Sequence, residues 1–276
     1  EGSETGLGYV VDAYVASGTF SRVFRVRGAP PADAGGPAPR KRRWGRLGAR
    51  AGQEAEGAEE GRVYAAKVMR RSDAYIQYTT DAQKEGRILQ RLEQVQRERG
   101  NDVCTMRCFD SFATRDDAGE EYWCLILEWM DASLYDVVRA NGNRGLHLSV
   151  VRVVLSQLLE QLFVLQELEC THTDIKHKNC CLADTRHFML PAGKDGGGSM
   201  ILERPLAKLI DYGSAVFEGD EKTHPIHTKQ FRAPEVLLNA AQGWGPPSDV
   251  WTLGVTAAFL LSGQLLFDSH EPAALL

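Results

Sequence analysis

The sequence predicts an α+β fold, with either one large core or two small lobes, in which strands dominate the first part of the chain and helices the second. Residues 9–26 alternate apolar with small or polar residues around a glycine-centred turn, as a β-hairpin does. Residues 62–69 and 122–129 are apolar runs of strand length, whereas 149–169 has the length of a buried helix. Strands followed by helices, rather than alternating with them, are typical of α+β proteins.

Helix boundaries follow from capping and from apolar spacing. Asp81 can cap a helix that runs to about Arg97, with Ile88, Leu89, Leu92 and Val95 on one apolar face. Ser149 can cap the long apolar helix. A third helix starts at about Asp249, and its apolar run 251–267 is shorter than the roughly 20 residues of a membrane span. We therefore expect a buried core helix there and no membrane contact.

Two segments differ in composition from the rest of the chain. Residues 28–61 are dominated by Ala, Gly and Pro and bury too little apolar surface to order themselves, so they predict a disordered insertion. Their basic cluster at 40–43 is either a solvated charge run or a nuclear-import signal. A shorter glycine-rich insertion covers 191–200. The resulting domain spans 9–276, with a strand-rich part of about 9–130 and a helix-rich part of about 131–276.

Charge and cysteine usage narrow the class of protein. The formal net charge is −5, whereas nucleic-acid-binding proteins are typically basic, so we expect no direct contact with nucleic acid. The six cysteines include no CxxC pair, which indicates reduced thiols and a nuclear or cytoplasmic location.

The segment from His172 to Asn179 carries side chains that suit phosphoryl transfer to a hydroxyl. This chemistry needs a carboxylate to orient the hydroxyl and accept its proton, a cation near the γ-phosphate and ligands for Mg²⁺. Asp174, Lys176 and Asn179 supply these groups on one short loop. Alone, the pattern is short enough to arise by chance.

Three further residues are candidates because of where they stand. Asp211 follows an apolar strand and precedes Gly213, which suits a second Mg²⁺ ligand, with a surface turn as the alternative. Lys67 lies in an apolar strand, where a lysine is costly unless paired, and Glu85 on the next helix is its natural partner. The alternatives are an edge-strand lysine and a solvated helix face.

These signals stand in the order found in protein kinases, and the chain resembles that family. The resemblance implies a bilobal protein-kinase-like fold with a β-rich N-lobe and an α-helical C-lobe. The C-lobe is expected to be truncated, because the chain stops before the last helices of that lobe. The ordered signals are Gly18, Lys67, Glu85, Asp174 with Asn179, Asp211, and Glu235 in an Ala-Pro-Glu tripeptide.

Within that family the sequence resembles the LAMMER (Clk-type) kinases of the CMGC group. Their catalytic-loop pattern THTDLKPEN appears as THTDIKHKN at 171–179, and their DFGSA as DYGSA at 211–215. Their HYRAPEV appears as QFRAPEV at 230–236, and their GWSxPxDVWSxG as GWGPPSDVWTLG at 243–254. The pre-mRNA processing kinases and the DYRK kinases are close relatives and stay open as alternatives.

The resemblance implies a role for each matching residue. Lys67 would hold the α- and β-phosphates of ATP and be positioned by Glu85. Asp174 would orient the substrate hydroxyl, and Lys176 would steady the γ-phosphate. The implied ligands of Mg²⁺ are Asn179 and Asp211, the implied brace of the loop backbone is Asp249, and the nucleotide-binding residues are Ala16, Gly18, Val23, Ala65, Lys67, Leu127, Glu128 and Met130.

Some positions depart from the family pattern. The glycine-rich turn keeps only its middle glycine, Gly18, which predicts slower turnover. Thr173 replaces the usual arginine, so phosphate on the activation segment lacks its usual receptor and activity should be constitutive. His177-Lys178 replaces Pro-Glu, which predicts weaker selection for arginine upstream of the target serine.

The sequence therefore predicts a serine/threonine kinase that acts alone as a monomer, and it leaves tyrosine open as an additional acceptor. The resemblance implies arginine/serine-rich splicing factors as its protein substrates. The competing hypothesis is a pseudokinase or nucleotide-binding scaffold, which the eroded glycine turn favours. A scaffold has no chemical need for all of the retained residues, which are Lys67, Glu85, Asp174, Asn179 and Asp211.

Overall fold

The structure, a computed structural model, divides into two compact units. The first consists of Glu1–Gln90 and Arg107–Trp129, and the second of Arg91–Met106 and Met130–Leu276; we call them the N-unit and the C-unit. The residues that the structure describes are 8–18, 21–29, 46–47, 59, 61–71, 76–100, 104–116, 118–191, 199–222, 225–238 and 243–268.

The N-unit is built on one antiparallel sheet. Its strands are β1 (Gly8–Ser17), β2 (Ser21–Ala29), β3 (Arg46–Leu47), β4 (Val63–Arg71), β5 (Cys108–Arg115) and β6 (Glu121–Glu128). Their order across the sheet is β3-β1-β2-β4-β6-β5. The strands β1 and β2 form the predicted hairpin, and β4 and β6 are the two predicted apolar strands. Because β4 lies between β2 and β6, its backbone is hydrogen-bonded on both sides.

An aromatic cluster ties the strands of this sheet together. The rings of Tyr9 and Tyr64 are fully buried and meet edge to face, with centroids 5.9 Å apart. Tyr64 also meets Phe109 at 5.0 Å, and Tyr9 stacks on Phe112 at 6.1 Å. These rings come from β1, β4 and β5, so the cluster links both halves of the sheet. Each such pair adds about 0.5–1.5 kcal/mol beyond the burial of its surface.

The prediction of a disordered insertion at 28–61 is wrong for some of its residues. Its first residues end β2, and its two residues Arg46–Leu47 form β3, which pairs with β1. The base of the segment is closed by backbone hydrogen bonds, since Gly61 N–H donates to Gly28 O at 2.9 Å. Composition averages over a segment and cannot detect two residues that extend a sheet edge. Residues 30–45, 48–58 and 60 lie outside the described residues.

The helix α1 (Ile76–Glu98) begins before the residue predicted to cap it. Asp81 lies inside the helix rather than at its N-cap, because no glycine or proline separates it from Ile76. Burial raises the pKa of the Asp81 carboxyl, and Lys84 lowers it in part. The apolar spacing was a better guide, since Leu89 and Leu92 are buried as predicted.

The described part of the C-unit contains four further helices. They are α2 (Leu134–Ala140), α3 (Leu148–Glu167), α4 (Pro234–Leu237) and α5 (Pro246–Ser262). The helix α5 begins on two prolines, which suit a first turn whose N–H groups have no partner in the helix. It ends at Gly263, whose φ is +75° and whose added β-carbon would lie only 2.2 Å from Asn143 O. Only glycine fits this close approach.

The helix α3 is the predicted long apolar helix, but its cap is not Ser149. The N-cap is His147, whose Nδ1 accepts a hydrogen bond from Ser149 N–H at 3.3 Å. An unprotonated imidazole nitrogen is a good acceptor, although sequence rules for caps rank only Ser, Thr, Asp, Asn and Gly highly. By length and composition alone, α3 is long and apolar enough to span a membrane, a property that buried core helices share. In this protein 44% of its most apolar stretch is buried.

Short strands complete the C-unit. They are β7 (Ala132–Ser133), β8 (Cys170–Thr171), β9 (Cys180–Leu182), β10 (His187–Leu190), β11 (Ser199–Leu202), β12 (Ala207–Leu209) and β13 (Val216–Phe217). They form the sheets β12-β9-β7, β10-β11 and β13-β8. The predicted insertion 191–200 connects β10 to β11, and residues 192–198 of it lie outside the described part of the chain.

Two glutamines of α3 fix the strand that precedes Asp211. Gln157 Oε1 accepts from Ala207 N–H at 2.7 Å, and Gln161 Oε1 accepts from Leu209 N–H at 2.8 Å. The Gln161 amide nitrogen donates to Ala207 O in β12, and the Gln157 amide nitrogen donates to Pro205 O just before the strand. The two side chains lie four residues apart on one face of α3. They bind the backbone of β12 as a neighbouring strand would.

Candidate active site

A buried ion pair joins β4 to α1 inside the N-unit. Lys67 Nζ lies 2.7 Å from Glu85 Oε2, and the two side chains are 13% and 2% exposed. Lys67 stands opposite Val23 on β2 and Leu125 on β6, so its backbone is fixed from both sides. Because a buried charge is costly without a partner, Glu85 holds the ammonium group in a defined position.

The other residues implied around the nucleotide lie mainly on contiguous strands of the N-unit sheet. Leu127 is nearly buried, at 8% exposure, and stands opposite Ala65. Met130 belongs to the C-unit. The cross-strand pairs that involve these residues include Ala16–Val23, Val23–Lys67, Ala65–Leu127 and Tyr64–Glu128.

Gly18 closes the turn between β1 and β2. Its N–H donates to Ser21 O at 2.9 Å. A β-carbon on Gly18 would approach the Ser21 Oγ atom to 3.2 Å, and that hydroxyl can rotate away. The atoms around Gly18 therefore do not require a glycine at this position. Close approach of a ligand to the backbone would explain why a glycine is found there.

In the C-unit, Asp174 is the centre of a hydrogen-bond cluster. Its Oδ2 accepts from Lys176 Nζ at 2.6 Å and from Asn179 Nδ2 at 3.0 Å. Its Oδ1 accepts from Thr228, through Oγ1 at 2.8 Å and through N–H at 3.3 Å. Four donors hold the carboxylate in one orientation, and with 25% of the Asp174 side chain exposed it can still be reached by a substrate.

The loop that carries Asp174 is fixed by its backbone. The carboxylate of Asp249, on α5, accepts from His172 N–H at 2.6 Å and from Thr173 N–H at 3.1 Å. Thr173 has a φ of +72°, which is rare for a β-branched residue and needs such support. Asp249 is only 2% exposed, so water competes little for these bonds. This is the geometry of the brace that the resemblance implied.

Asn179 and Asp211 are brought together by neighbouring backbone segments. Ile210 N–H donates to Asn179 O at 2.9 Å. His172 Nδ1 accepts from Asp174 N–H at 3.3 Å, so its Nε2 carries the proton and donates to Ile210 O at 3.1 Å. The loop with Asp174 and the residue before Asp211 are thus joined by side chain and backbone.

Asn179 and Asp211 fit a Mg²⁺ ion. The amide nitrogen of Asn179 donates to the backbone oxygen of Asp174 at 2.9 Å. Its amide oxygen can therefore act as a metal ligand. Asp211 is an exposed residue with a left-handed φ of +67° and supplies a carboxylate. Mg²⁺ is usually held by one or two carboxylates together with substrate phosphates and water. Among the described residues, no group of three or more His, Cys, Asp and Glu could hold a metal on its own.

Thr228 is a member of this cluster that the sequence analysis missed. Besides its bonds to Asp174, its Oγ1 accepts from Lys176 Nζ at 2.8 Å. It follows Asp174 by 54 residues, so no local spacing connects the two. The one available signal was its position just before the QFRAPEV stretch.

His177, which replaces the proline of the family pattern, is buried in an aromatic pocket. Its Nδ1 has no hydrogen-bond partner among the described residues. Burial, together with Lys178 and Lys176, lowers the pKa of His177 to about 4. The rings around it are Tyr135, Phe231 and Phe259, at centroid distances of 5.0, 5.1 and 4.5 Å.

We expect His177 to make the protein less stable at acidic pH. Unfolded His177 takes up a proton as the pH falls through 6.5, whereas the folded state does not until a pKa of about 4. Stability should therefore fall as the pH is lowered through this window, by about 3 kcal/mol in total. Urea unfolding at several pH values measures this loss for the wild type and for His177→Phe, which keeps a ring but cannot titrate.

The matched control for this experiment is His187→Asn, which removes an exposed histidine on β10. Carboxylates also titrate at low pH, so the quantity to compare is the difference between wild type and each variant. Equal pH dependence in wild type and His177→Phe would contradict the assignment.

Each unit thus carries part of the residue set found in protein kinases. The N-unit carries the strand lysine paired with a helix glutamate, and the C-unit carries the Asp-Lys-Asn loop joined to a second aspartate. Residues 51–275 match the sequence model of the protein kinase domain family, and the chain belongs to this family. Within the family it is similar to LAMMER and Clk-type dual-specificity kinases of the CMGC group.

Three curated relatives illustrate this similarity. AFC1, a serine/threonine-protein kinase of Arabidopsis thaliana, is 36% identical over 156 residues, which are 54% of this chain and 33% of AFC1. The dual specificity protein kinase CLK1 of Homo sapiens is 27% identical over 211 residues, which are 76% of this chain and 41% of CLK1. The dual specificity protein kinase KNS1 of Saccharomyces cerevisiae is 30% identical over 224 residues, which are 75% of this chain and 28% of KNS1. The chain thus spans well under half the length of these relatives.

The fold comparison gives the same family. The crystal structure of the PF14_0431 kinase domain matches with a TM-score of 0.72 and 28% sequence identity, over 96% of this chain and 67% of that chain. The predicted α+β kinase fold with a sheet-rich first part is therefore confirmed.

Proposed function

We propose that this chain is an active protein kinase that transfers the γ-phosphoryl group of ATP to serine and threonine hydroxyls of proteins, and to tyrosine as well. The observation that carries the proposal is the Asp174 cluster, in which a carboxylate accessible to substrate is oriented by Lys176, Asn179 and Thr228. A nucleotide-binding scaffold needs no such carboxylate. The protein kinase family in general uses ATP and Mg²⁺.

The residues of the C-unit would carry the transfer itself. Asp174 would accept a hydrogen bond from the acceptor hydroxyl and take up its proton as the new O–P bond forms and the bond to ADP breaks. Lys176, 2.6 Å from Asp174 and 21% exposed, would place a positive charge beside the transferred group. Because Asp249 fixes the loop backbone, these side chains are positioned before the substrate binds.

Two further sets of residues would bind the donor. Lys67, held by Glu85, would bind the α- and β-phosphates, and the backbone near Glu128 and Met130 would meet the adenine. Asn179 and Asp211 would hold Mg²⁺. Bound ATP would supply the phosphoryl group, and Mg²⁺ would neutralise part of the charge on its oxygens.

A transfer assay tests the proposal. The complete protein, incubated with Mg²⁺, γ-labelled ATP and a protein acceptor, should label the acceptor, and Asp174→Asn protein prepared in parallel should not. Nucleotide binding is measured separately on the same samples. Binding without transfer by the wild type would refute the kinase proposal and favour the pseudokinase alternative.

The similarity to Clk-type kinases supports further proposals on the acceptor residues and the substrate class. CLK1 and KNS1 are described as dual specificity kinases, which supports tyrosine as an additional acceptor. We propose arginine/serine-rich splicing factors as substrates, a nuclear or cytoplasmic location and a monomeric state. Labelling of such a factor in preference to a serine-containing protein without arginine repeats would support the substrate class, and equal labelling of both would count against it.

We propose that Lys178 influences which substrates are chosen. Its side chain is exposed, and its Nζ lies 4.9 Å from the centroid of the Tyr135 ring. Arg139 approaches the same ring to 5.7 Å. Both cations interact with the face of one aromatic ring, so Lys178 is held near the catalytic loop rather than free in solvent.

Reversing this charge should change the preference for basic substrates. We expect Lys178→Glu to raise the ratio of kcat/KM for peptides with arginine over peptides with glutamate upstream of the target serine. A charge-assisted hydrogen bond contributes about 1.5–3 kcal/mol, and screening at an exposed position reduces this to an effect of roughly several-fold. The control is Arg139→Glu, the same reversal beside Tyr135 but outside the catalytic loop. An unchanged ratio in Lys178→Glu, or an equal change in both variants, would show that Lys178 does not read the substrate.

A further inference from the structure

We infer that His227 is a positioning residue, which holds the segment 226–233 and the catalytic loop in a fixed relation to each other. The inference goes beyond the proposed kinase function and rests on it for its kinetic test. The His227 side chain is completely buried, and the residue has a left-handed φ of +68°. Histidine tolerates this conformation better than most residues, yet it persists only where neighbours fix it.

Each polar group of His227 has a neighbour. Its N–H donates to Thr173 O at 2.9 Å, in the catalytic loop. Its carbonyl oxygen accepts from Arg232 Nη2 at 2.8 Å. Its Nδ1 accepts from Ala233 N–H at 3.4 Å, just before α4. Its Nε2 faces the start of α5, where Ser248 Oγ lies at 3.5 Å and Asp249 Oδ1 at 3.6 Å.

These contacts determine which ring nitrogen carries the proton. Nδ1 accepts a hydrogen bond from a backbone N–H, so it holds no proton of its own. The Ser248 hydroxyl donates to Gly245 O at 2.7 Å, so towards His227 its oxygen can only accept. Both observations place the proton on Nε2, directed at Ser248 and at the Asp249 carboxylate. His227 therefore presents a fixed dipole to Asp249 from inside the fold.

The position of His227 connects it to Asp174 by two routes. Asp249 accepts from the N–H groups of His172 and Thr173, which precede Asp174, so a shift of the Asp249 carboxylate moves the catalytic loop. Along the chain, the next residue is Thr228, whose N–H and Oγ1 donate to Asp174 Oδ1. His227 thus supports the candidate catalytic carboxylate through Asp249 by its ring and through Thr228 by its backbone.

A series of variants separates positioning from simple stability. His227→Gly keeps the left-handed backbone and removes the ring. We expect it to lower kcat at least tenfold while the KM for ATP stays within about twofold, because the His227 ring contacts Ala233, Ser248 and Asp249, none of which is assigned to nucleotide binding. His227→Gln restores a donor on the Ser248 and Asp249 side, whereas His227→Asn restores only the acceptor for Ala233. The glutamine variant should therefore recover more of the lost kcat than the asparagine variant.

The inference is overturned if His227→Gly keeps kcat within twofold, or if the glutamine and asparagine variants have equal kcat. Should the glycine variant fail to fold, the comparison of glutamine with asparagine still decides, because both keep a polar side chain.

A second measurement does not depend on activity. His227→Gly and His227→Asn lack the donor on the Ser248 and Asp249 side. In these two variants the His172 and Thr173 amide protons should exchange with solvent at least tenfold faster than in the wild type. Faster exchange with no transfer by the wild type would overturn the kinase proposal and leave the positioning role of His227 standing. Unchanged exchange at both amides overturns the inference, whatever the activity.

Discussion

Asp174→Asn is expected to lower kcat for phosphoryl transfer by about a hundredfold to ten-thousandfold, with nucleotide binding nearly unchanged. Asparagine has almost the same shape, but it cannot take up the proton of the acceptor hydroxyl. It also replaces one acceptor oxygen by an NH₂ group. That group would face either Lys176 and Asn179 on one side or Thr228 on the other, and all three are donors. The cluster would therefore lose an accepted hydrogen bond and gain a repulsive contact.

The measurement is kcat from initial rates at saturating ATP, with nucleotide affinity determined independently. Asp184→Asn is the matched control, because Asp184 lies in the same unit and binds Arg186 on the surface. Arg186 lowers the pKa of Asp184 to about 2, so this variant removes an equally charged carboxylate. We expect it to leave kcat unchanged. A kcat within tenfold of wild type for Asp174→Asn would refute the assigned role of Asp174.

The fold could be predicted wherever the deciding information was local. Alternation around Gly18 indicated the β1–β2 hairpin, apolar spacing indicated α1 and its buried face, and a long apolar run indicated α3. Helix starts were less accessible, since His147 caps α3 with a ring nitrogen and α1 runs through Asp81. The strand β3 could not be predicted, because two residues in an Ala-Gly-Pro segment pair only with a strand already folded.

The residues of the candidate site also differ in whether the sequence could predict their proximity. Asp174, Lys176 and Asn179 stand within six residues, so their proximity could be predicted from one loop. The ion pair of Lys67 with Glu85 was also accessible, because a lysine in an apolar strand demands a partner nearby. Thr228 and His227 were not accessible. Their contacts with the catalytic loop cross more than fifty residues, as the separation of 54 between Asp174 and Thr228 shows.

Lys67→Met is expected to reduce both transfer and stability, and a second substitution should restore only the stability. Removing the lysine takes the ion-pair partner from Glu85, whose side chain is 2% exposed. Breaking a buried pair in this way costs about 3–5 kcal/mol of unfolding free energy. Replacing the whole pair by apolar side chains, as in Lys67→Met combined with Glu85→Leu, is often nearly neutral. We therefore expect the double variant to unfold at almost the wild-type urea concentration.

Activity should respond differently, because no substitution at Glu85 returns the ammonium group that would bind the phosphates. Both the single and the double variant should lose at least about a hundredfold in kcat/KM, an electrostatic contribution of about 2.7 kcal/mol to the transition state. Lys84→Met is the control, since it removes a lysine that is partly exposed on the same helix, next to Glu85. It should change neither quantity strongly. If the double variant regained activity together with stability, Lys67 would be a structural residue and not a phosphate ligand. If the single variant were as stable as the wild type, the pair would contribute nothing to the fold, and its burial would have to be explained by function alone.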